Sequence, residues 1–312
     1  MGCAVIAEKS MIPAIKSVSN FKLIAVASRS NEKADRFAEQ FDCEAIVGYE
    51  NLLSRSDIDA IYIPLPTGLH DEWINKSLRA GKHVLAEKSI AYDYHSALKM
   101  VNNAKSNGLL LMENFMFQYH SQHQFVADLL LKGDIGEIRV FRANFGFPPM
   151  PKTNFRYNEI VGGGALLDAA GYTVRAIHFM LGNDLVVKAA NLYFDPETGT
   201  NIYGGAFLDN SKGVSAQIAF GMDHYYQCNY EIWGSEGKII ADRAFTAKPD
   251  YSPLIIVEKQ DQRAAYQMPP DNHFVGSIKE FQRAILTKDF DKHFDQVLLQ
   301  SKTLDEIRRL SK

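Results

Sequence analysis

Residues 1–15 read "MGCAVIAEKSMIPAI". Within them Gly2-Cys3-Ala4-Val5-Ile6-Ala7 has the pattern G-x-A-x-x-A. Small residues at those positions let a backbone turn approach a pyrophosphate and let the following helix pack closely. A helix start suits phosphate because its first N–H groups lack partners and its dipole is positive there. Gly2, Cys3, Ala4 and Ile6 are therefore candidate cofactor contacts. The competing reading is an ordinary helix start built from small residues. A dinucleotide turn normally follows a buried strand, and here only Met1 precedes it.

Working outward, residues 20–115 alternate short apolar runs with amphipathic helical stretches. Lys22 to Ala27 reads as a strand, and Asn31 to Phe41 as a helix with Ala34, Phe37, Ala38 and Phe41 on one face. Asp59 to Pro64 is a second strand, followed by a helix from about Asp71 to Ala80. "GKHVLAEK" is a third strand, and Tyr94 to Asn107 a helix closed by Gly108. "LLLME" at 109–113 is the last strand of this region. Alternation of this kind predicts a doubly wound parallel sheet covered by helices, with its first strand missing.

Beyond residue 115 the pattern changes. A helix near Gln118 to Lys132 leads to a strand at 137–147, and a long helix runs from about Gly163 to Leu181. Successive strand-like runs then fill 185–268 without helices between them, which predicts a large, mostly antiparallel open sheet. Helices near 272–287 and 291–310 finish the chain. The expected division falls at residue 115, between two α/β domains at 1–115 and 116–312.

Composition narrows the function classes. The chain has 312 residues, 46% hydrophobic and 23% charged, with a net charge of −3, so nothing points to nucleic acid or another polyanion. Its apolar runs are strand-length, so no membrane partner is expected. Three scattered cysteines fit a reducing, cytoplasmic setting. The nine histidines show no H-E-x-x-H or H-x-x-E-H spacing, and no metal is expected.

Several short segments carry candidate chemistry. Ala27-Ser28-Arg29-Ser30 ends the strand that meets the adenosine ribose in a dinucleotide fold. An acid there would repel a 2′-phosphate. Ser28 and Arg29 instead offer a hydroxyl and a guanidinium, which favours NADP(H), with NAD(H) possible. In "IPLPTGLH" two prolines stiffen the loop, so Pro64, Leu65 and Pro66 are placed to line a ligand crevice. His70 is either a wall residue of that crevice or an ordinary early-helix histidine. Glu87 and Lys88 end the next strand as an acid–base pair, the alternative being a surface ion pair. Asp168 and Tyr172 are four apart in "GGGALLDAAGYTVRAIHF" and so share a helix face, unless Tyr172 is a core aromatic and Asp168 a solvated charge.

Taken together, "GCAVIA", "AVASRS", "IYIPLPTGLH", "AGKHVLAEKS", "GGGALLDAAGY" and "YEIWGSEGKI" resemble the glucose–fructose oxidoreductase/inositol dehydrogenase/MocA family over nearly the whole chain. The resemblance implies that 1–115 is a dinucleotide-binding Rossmann domain. It implies hydride transfer between a nicotinamide and a carbonyl or secondary alcohol of a sugar, nucleotide-linked sugar or cyclic polyol. It implies Tyr172 as proton donor or acceptor, Lys88 as its electrostatic partner and Asp168 as an orienter of substrate hydroxyls. Asn114 and Arg156 join the expected cofactor contacts. It also implies a homodimer or homotetramer formed through the C-terminal sheet. Two other functions compete: a trans-dihydrodiol dehydrogenase, and a catalytically silent NADP-binding regulator. The chain departs from the family pattern at Ser89, where a proline is usual, which is expected to loosen the loop after Lys88. It also lacks the first strand, which implies either a start assigned too late or a truncation.

Overall fold

The structure is a computed structural model of residues 1–312, and the chain forms two compact units. The first contains Met1–Asn114 and Phe274–Ser301. A π-helical turn, Ala7–Met11, runs into α1 (Ile12–Ser17). There follow β1 (Ala25–Ser28), α2 (Asn31–Phe41), β2 (Glu44–Val47), α3 (Tyr49–Leu53), β3 (Ala60–Ile63), α4 (His70–Arg79), β4 (His83–Glu87), α5 (Tyr94–Asn107) and β5 (Leu111–Asn114). The helix ends follow capping chemistry. The Ser30 side chain accepts from Lys33 N and opens α2, and Asp93 accepts from Ser96 N and opens α5. Gly108 closes α5 in the left-handed region at φ 62°.

All pairings in this unit are parallel, but the strands form two sheets, β1-β2 and β3-β4-β5. A cavity of about 500 Å3 lies alongside β1 and β3. Residues 22–27 and 57–62 line it, with Leu52, Leu85, Ile278, Phe281 and Ile285 among the apolar side chains. Met1 and Gly2 span the two sheets: the Met1 amino group donates to Tyr62 O at 2.9 Å and Gly2 N to Ala27 O at 2.8 Å. Met1 and Gly2 thus lie between β1 and β3, beside the turn into the first helix.

The second unit contains Phe115–His273 and Lys302–Lys312. It holds α6 (Ser121–Leu131), β6 (Ile138–Gly146) and a π-helical turn, Leu166–Ala170, that continues as α7 (Gly171–Leu181). Then come β7 (Val186–Phe194), β8 (Asn201–Asp209), β9 (Ser215–Gly221), β10 (Gln227–Gly234), β11 (Lys238–Ala241), β12 (Leu254–Lys259) and β13 (Gln262–Gln267). With β6 they make one eight-stranded sheet in the order β13-β12-β11-β10-β6-β9-β8-β7, antiparallel except at β6–β9. Alternation sets its faces. Phe141, Ala143 and Phe145 of β6 are buried, whereas the intervening Arg142 and Asn144 are only half-buried. The inner face packs on α7, of which residues 171–178 are all buried.

The last two helices are α8 (His273–Thr287) and α9 (Asp291–Leu310). Read from chain order, they belong to a second domain over 116–312. The structure corrects that boundary: residues 274–301 belong to the first unit. Phe281 stacks on Phe21 at 6.3 Å, Ser277 Oγ donates to Asn114 Oδ1 at 2.6 Å, and Phe294 and Val297 join the core containing Val84 and Leu111. Their apolar faces find a core that was built some 200 residues earlier in the chain. No helix is long and apolar enough to cross a membrane.

Candidate active site

In the first unit the predicted contacts gather at the carboxyl ends of the parallel strands, where ligands bind in this kind of sheet. Gly2 sits at φ 93°, and a Cβ there would stand 2.8 Å from Leu65 Cδ2. The left-handed φ favours glycine there, and any side chain would also have to push aside the tip of Leu65. Ala4 O accepts from Glu8 N at 3.1 Å, so the helix starts directly behind the turn, through Ile6. Cys3 is half-buried, and burial pushes its thiol pKa up. At the end of β1, Ser28 Oγ accepts from Ser30 N at 3.1 Å while Arg29 is exposed. A glycine cradle at a helix start, with a guanidinium and no acid at the strand end, fits a phosphate-bearing dinucleotide.

The loop after β3 carries Pro64, Leu65 and Pro66, of which Pro64 is buried and the other two half-buried. His70 was expected to be able to line this crevice, and there the structure differs. Its ring is fully buried, with Nε2 2.8 Å from Leu65 O and Nδ1 3.1 Å from both Ser89 O and Ile90 O. The first turn of α4 packs it beneath the loops, and burial draws its pKa down to about 4. Glu87 Oε1 accepts from Tyr62 Oη and from Asn114 Nδ2, each at 2.7 Å. Burial pushes the Glu87 pKa up, against the pull of both bonds. Asn114 is therefore held at both ends of its amide, by Glu87 and Ser277.

Lys88 follows, half-buried, at the end of β4. Ser89 was expected to loosen this segment. Instead it is 2% exposed, and its carbonyl accepts from Thr67 Oγ1 at 2.9 Å. Glu113 holds the other side, accepting from Ile90 N at 2.8 Å. Hydrogen bonds from neighbouring elements replace the stiffness that a proline ring would give.

The second unit contains Arg156, Asp168 and Tyr172. Gly164 N donates to Arg156 O and Gly163 N to Asn158 O, both at 2.9 Å, folding the preceding loop back on the glycine turn. A Cβ on Gly163 would lie 2.5 Å from Arg156 O, so the close return requires glycine. This places Arg156 Nε 2.6 Å from Asp168 Oδ2. Sequence reading gave those two residues separate roles, whereas the structure pairs them. Asp168 lies in the π turn, whose wider spacing alters the simple four-residue register with Tyr172. Tyr172 is 6% exposed. Rings of Phe145, Phe115, Phe245 and Phe117 surround it, with centroids at 4.7, 5.6, 5.9 and 6.0 Å.

Sequence reasoning missed Thr67, Glu113, Ser277, Phe145 and Phe245. They are spread over strands, a helix, a loop and the short turn after β3, and no local pattern marks their contacts. No group of three or more His, Cys, Asp or Glu side chains is arranged to hold a metal ion.

Known proteins resemble the chain along almost its whole length. Residues 1–115 match the Gfo/Idh/MocA family model described as an oxidoreductase family with an NAD-binding Rossmann fold, and residues 123–240 match its C-terminal domain. A dTDP-3,4-didehydro-2,6-dideoxy-alpha-D-glucose 3-reductase from Actinomadura kijaniata is 43% identical over 309 residues, 99% of this chain and 93% of its own. The enzyme of the same name from Saccharopolyspora spinosa is 43% identical over 91% of this chain and 86% of its own. The crystal structure of KijD10, a 3-ketoreductase from Actinomadura kijaniata in complex with NADP and TDP-benzene, superposes with a TM-score of 0.96 at 43% identity. That match covers 99% of this chain and 95% of KijD10. The chain belongs to the Gfo/Idh/MocA family and is an NAD(P)-dependent oxidoreductase.

Proposed function

We propose that this protein reduces the C3 carbonyl of a dTDP-linked keto-deoxy sugar, with NADPH as the preferred cofactor. What carries the reading is likeness along almost the whole chain to reductases of that name. The residues present suit the chemistry. When bound, the nicotinamide supplies the hydride that the carbonyl carbon needs. The turn at Gly2, Cys3, Ala4 and Ile6 holds the pyrophosphate, Ser28 and Arg29 take the 2′-phosphate, and Pro64 to Pro66 with Glu87 and Asn114 orient the nicotinamide side. Tyr172, held by four aromatic rings, donates the proton to the carbonyl oxygen. The Lys88 ammonium hydrogen-bonds the oxygen as negative charge develops on it. Asp168, braced by Arg156, orients sugar hydroxyls.

The three cysteines are free thiols, which fits work in a reducing compartment such as the cytoplasm. Retention of Lys88 and Tyr172 argues against a silent regulator. The test is loss of nicotinamide absorbance at 340 nm with dTDP-linked 3-keto sugars, free keto-sugars and aromatic dihydrodiols. Turnover confined to dTDP-linked sugars is expected. Turnover only of free sugars or dihydrodiols would overturn the substrate, and tight NADPH binding without turnover of any would favour the regulator.

A further inference from the structure

We infer that His70 is a positioning residue, which holds the segment carrying Lys88 against the loop that follows β3. The inference rests on the role proposed above for Lys88. The ring is fully buried, and both of its nitrogens face main-chain carbonyls only. Nδ1 lies 3.1 Å from Ser89 O and from Ile90 O, the two residues after Lys88. Nε2 lies 2.8 Å from Leu65 O, in the stiff loop where a Gly2 side chain would collide. Carbonyls accept and never donate, so the ring's N–H is committed to one of these loops in either neutral tautomer. The body of the ring fills the space beneath the other. Charged groups on the neighbouring elements are engaged elsewhere: Asp71 bonds Asn75 and Lys99, Glu72 pairs with Lys76, and Glu113 takes Ile90 N.

Two further bonds make the arrangement a clasp. Thr67 Oγ1, three residues before His70, donates to the same Ser89 carbonyl at 2.9 Å. Glu113, from β5, grips Ile90 N from the opposite side. Of the two residues following Lys88, the Ser89 carbonyl is thus fixed by Thr67 and the Ile90 amide by Glu113, with Nδ1 of the His70 ring facing both carbonyls. A histidine present only to fill space would not need a ring nitrogen at each end of two separate loops. The geometry therefore ties the placement of the Lys88 ammonium to the loop that Gly2 packs against.

The test compares His70→Phe, which keeps a ring but no donor, with His70→Gln, which keeps a donor that does not titrate, and with Thr67→Val. In His70→Phe, kcat is expected to fall about tenfold, as for a small misplacement of a reacting group, and its pH profile to shift. NADPH affinity should change far less. His70→Gln should recover most of the loss, and Thr67→Val should show a smaller loss in the same direction. Wild-type kcat and pH profile in a folded His70→Phe would overturn the inference. So would equal losses in the Phe and Gln variants that track a lower melting temperature. Should His70→Phe fail to fold, Thr67→Val decides, and an unchanged kcat there overturns it. Hydrogen exchange at the Ile90 amide, expected to quicken in the variants, reads the clasp without any substrate. It separates failure of the clasp from failure of the proposed function.

Discussion

At the scale of single residues, Tyr172 and Arg29 give the sharpest expectations. Tyr172→Phe keeps the ring within its four aromatic neighbours and removes only the hydroxyl. Its melting temperature and NADPH affinity should stay close to wild type, while kcat drops at least about tenfold, below the usual range for acid–base groups. An unchanged kcat would leave Tyr172 a core aromatic. Arg29 is exposed at the end of β1 with serines on either side. Replacing it with alanine should weaken NADPH binding and leave NADH binding nearly unchanged, which narrows the cofactor preference. Fluorescence titration with both cofactors measures this, and a wild-type preference for NADH would refute the assignment.

At the scale of elements, β1 and β3 border one cavity and share no hydrogen bond. Unpaired backbone groups shielded from water cost about 1–3 kcal/mol each. A designed fusion tests whether this place accepts a strand. About five residues of alternating apolar character, joined ahead of Met1, should pair with both neighbours because Met1 and Gly2 already bond Tyr62 O and Ala27 O. The fusion should raise the melting temperature by several degrees and tighten NADPH binding. A control carrying two prolines in the added segment cannot complete the ladder and should do neither. Equal melting temperatures for the two fusions would show that the cavity does not take a strand.

At the scale of the whole molecule, two expectations concern acid stability and assembly. Burial draws His70 down to about 4 and His123 and His273 each to about 3. An unfolded histidine titrates near 6.5. Their contribution to stability is therefore complete above about pH 6.5. It is lost as the pH falls toward 4 and 3, because the unfolded chain takes up protons first. The slope reaches at most roughly 1.4 kcal/mol per pH unit for each histidine. His123→Gln should lower stability at pH 7 and flatten the acid limb, as measured by thermal unfolding from pH 7 to 4. The outward face of the eight-stranded sheet exposes Trp233 at 47% and Phe207 at 38%. Phe207 ends the cross-strand row Glu231–Arg142–Gln217–Phe207, and Trp233 lies two residues along β10 from Glu231. A homo-oligomer through this face is expected, and Trp233→Glu should shift light scattering toward monomer. A monomeric wild type would refute it.

Much of the first unit was legible because its signals are local. The apolar spacing of Ala34, Phe37, Ala38 and Phe41 and the stop at Gly108 predict α2 and α5 with the bounds observed. The two-residue alternation in Phe141, Ala143 and Phe145 likewise marks a one-sided strand. Strand β2 was missed because only Ile46 of its four residues is buried, so it lacks an apolar pattern. The short segments around Gly2, Lys88 and Tyr172 were enough to indicate the family. Their surroundings were not readable. The pairing of Arg156 with Asp168, the rings around Tyr172 and the Ser277–Asn114 bond join residues 12 to 163 positions apart. The alternation of elements and the family's run of short segments are carried by neighbouring residues, and so both are legible along the chain. The return of 274–301 to the first unit and the three carbonyls facing His70 could not be read along the chain, because burial and hydrogen bonding are settled by whatever packs alongside.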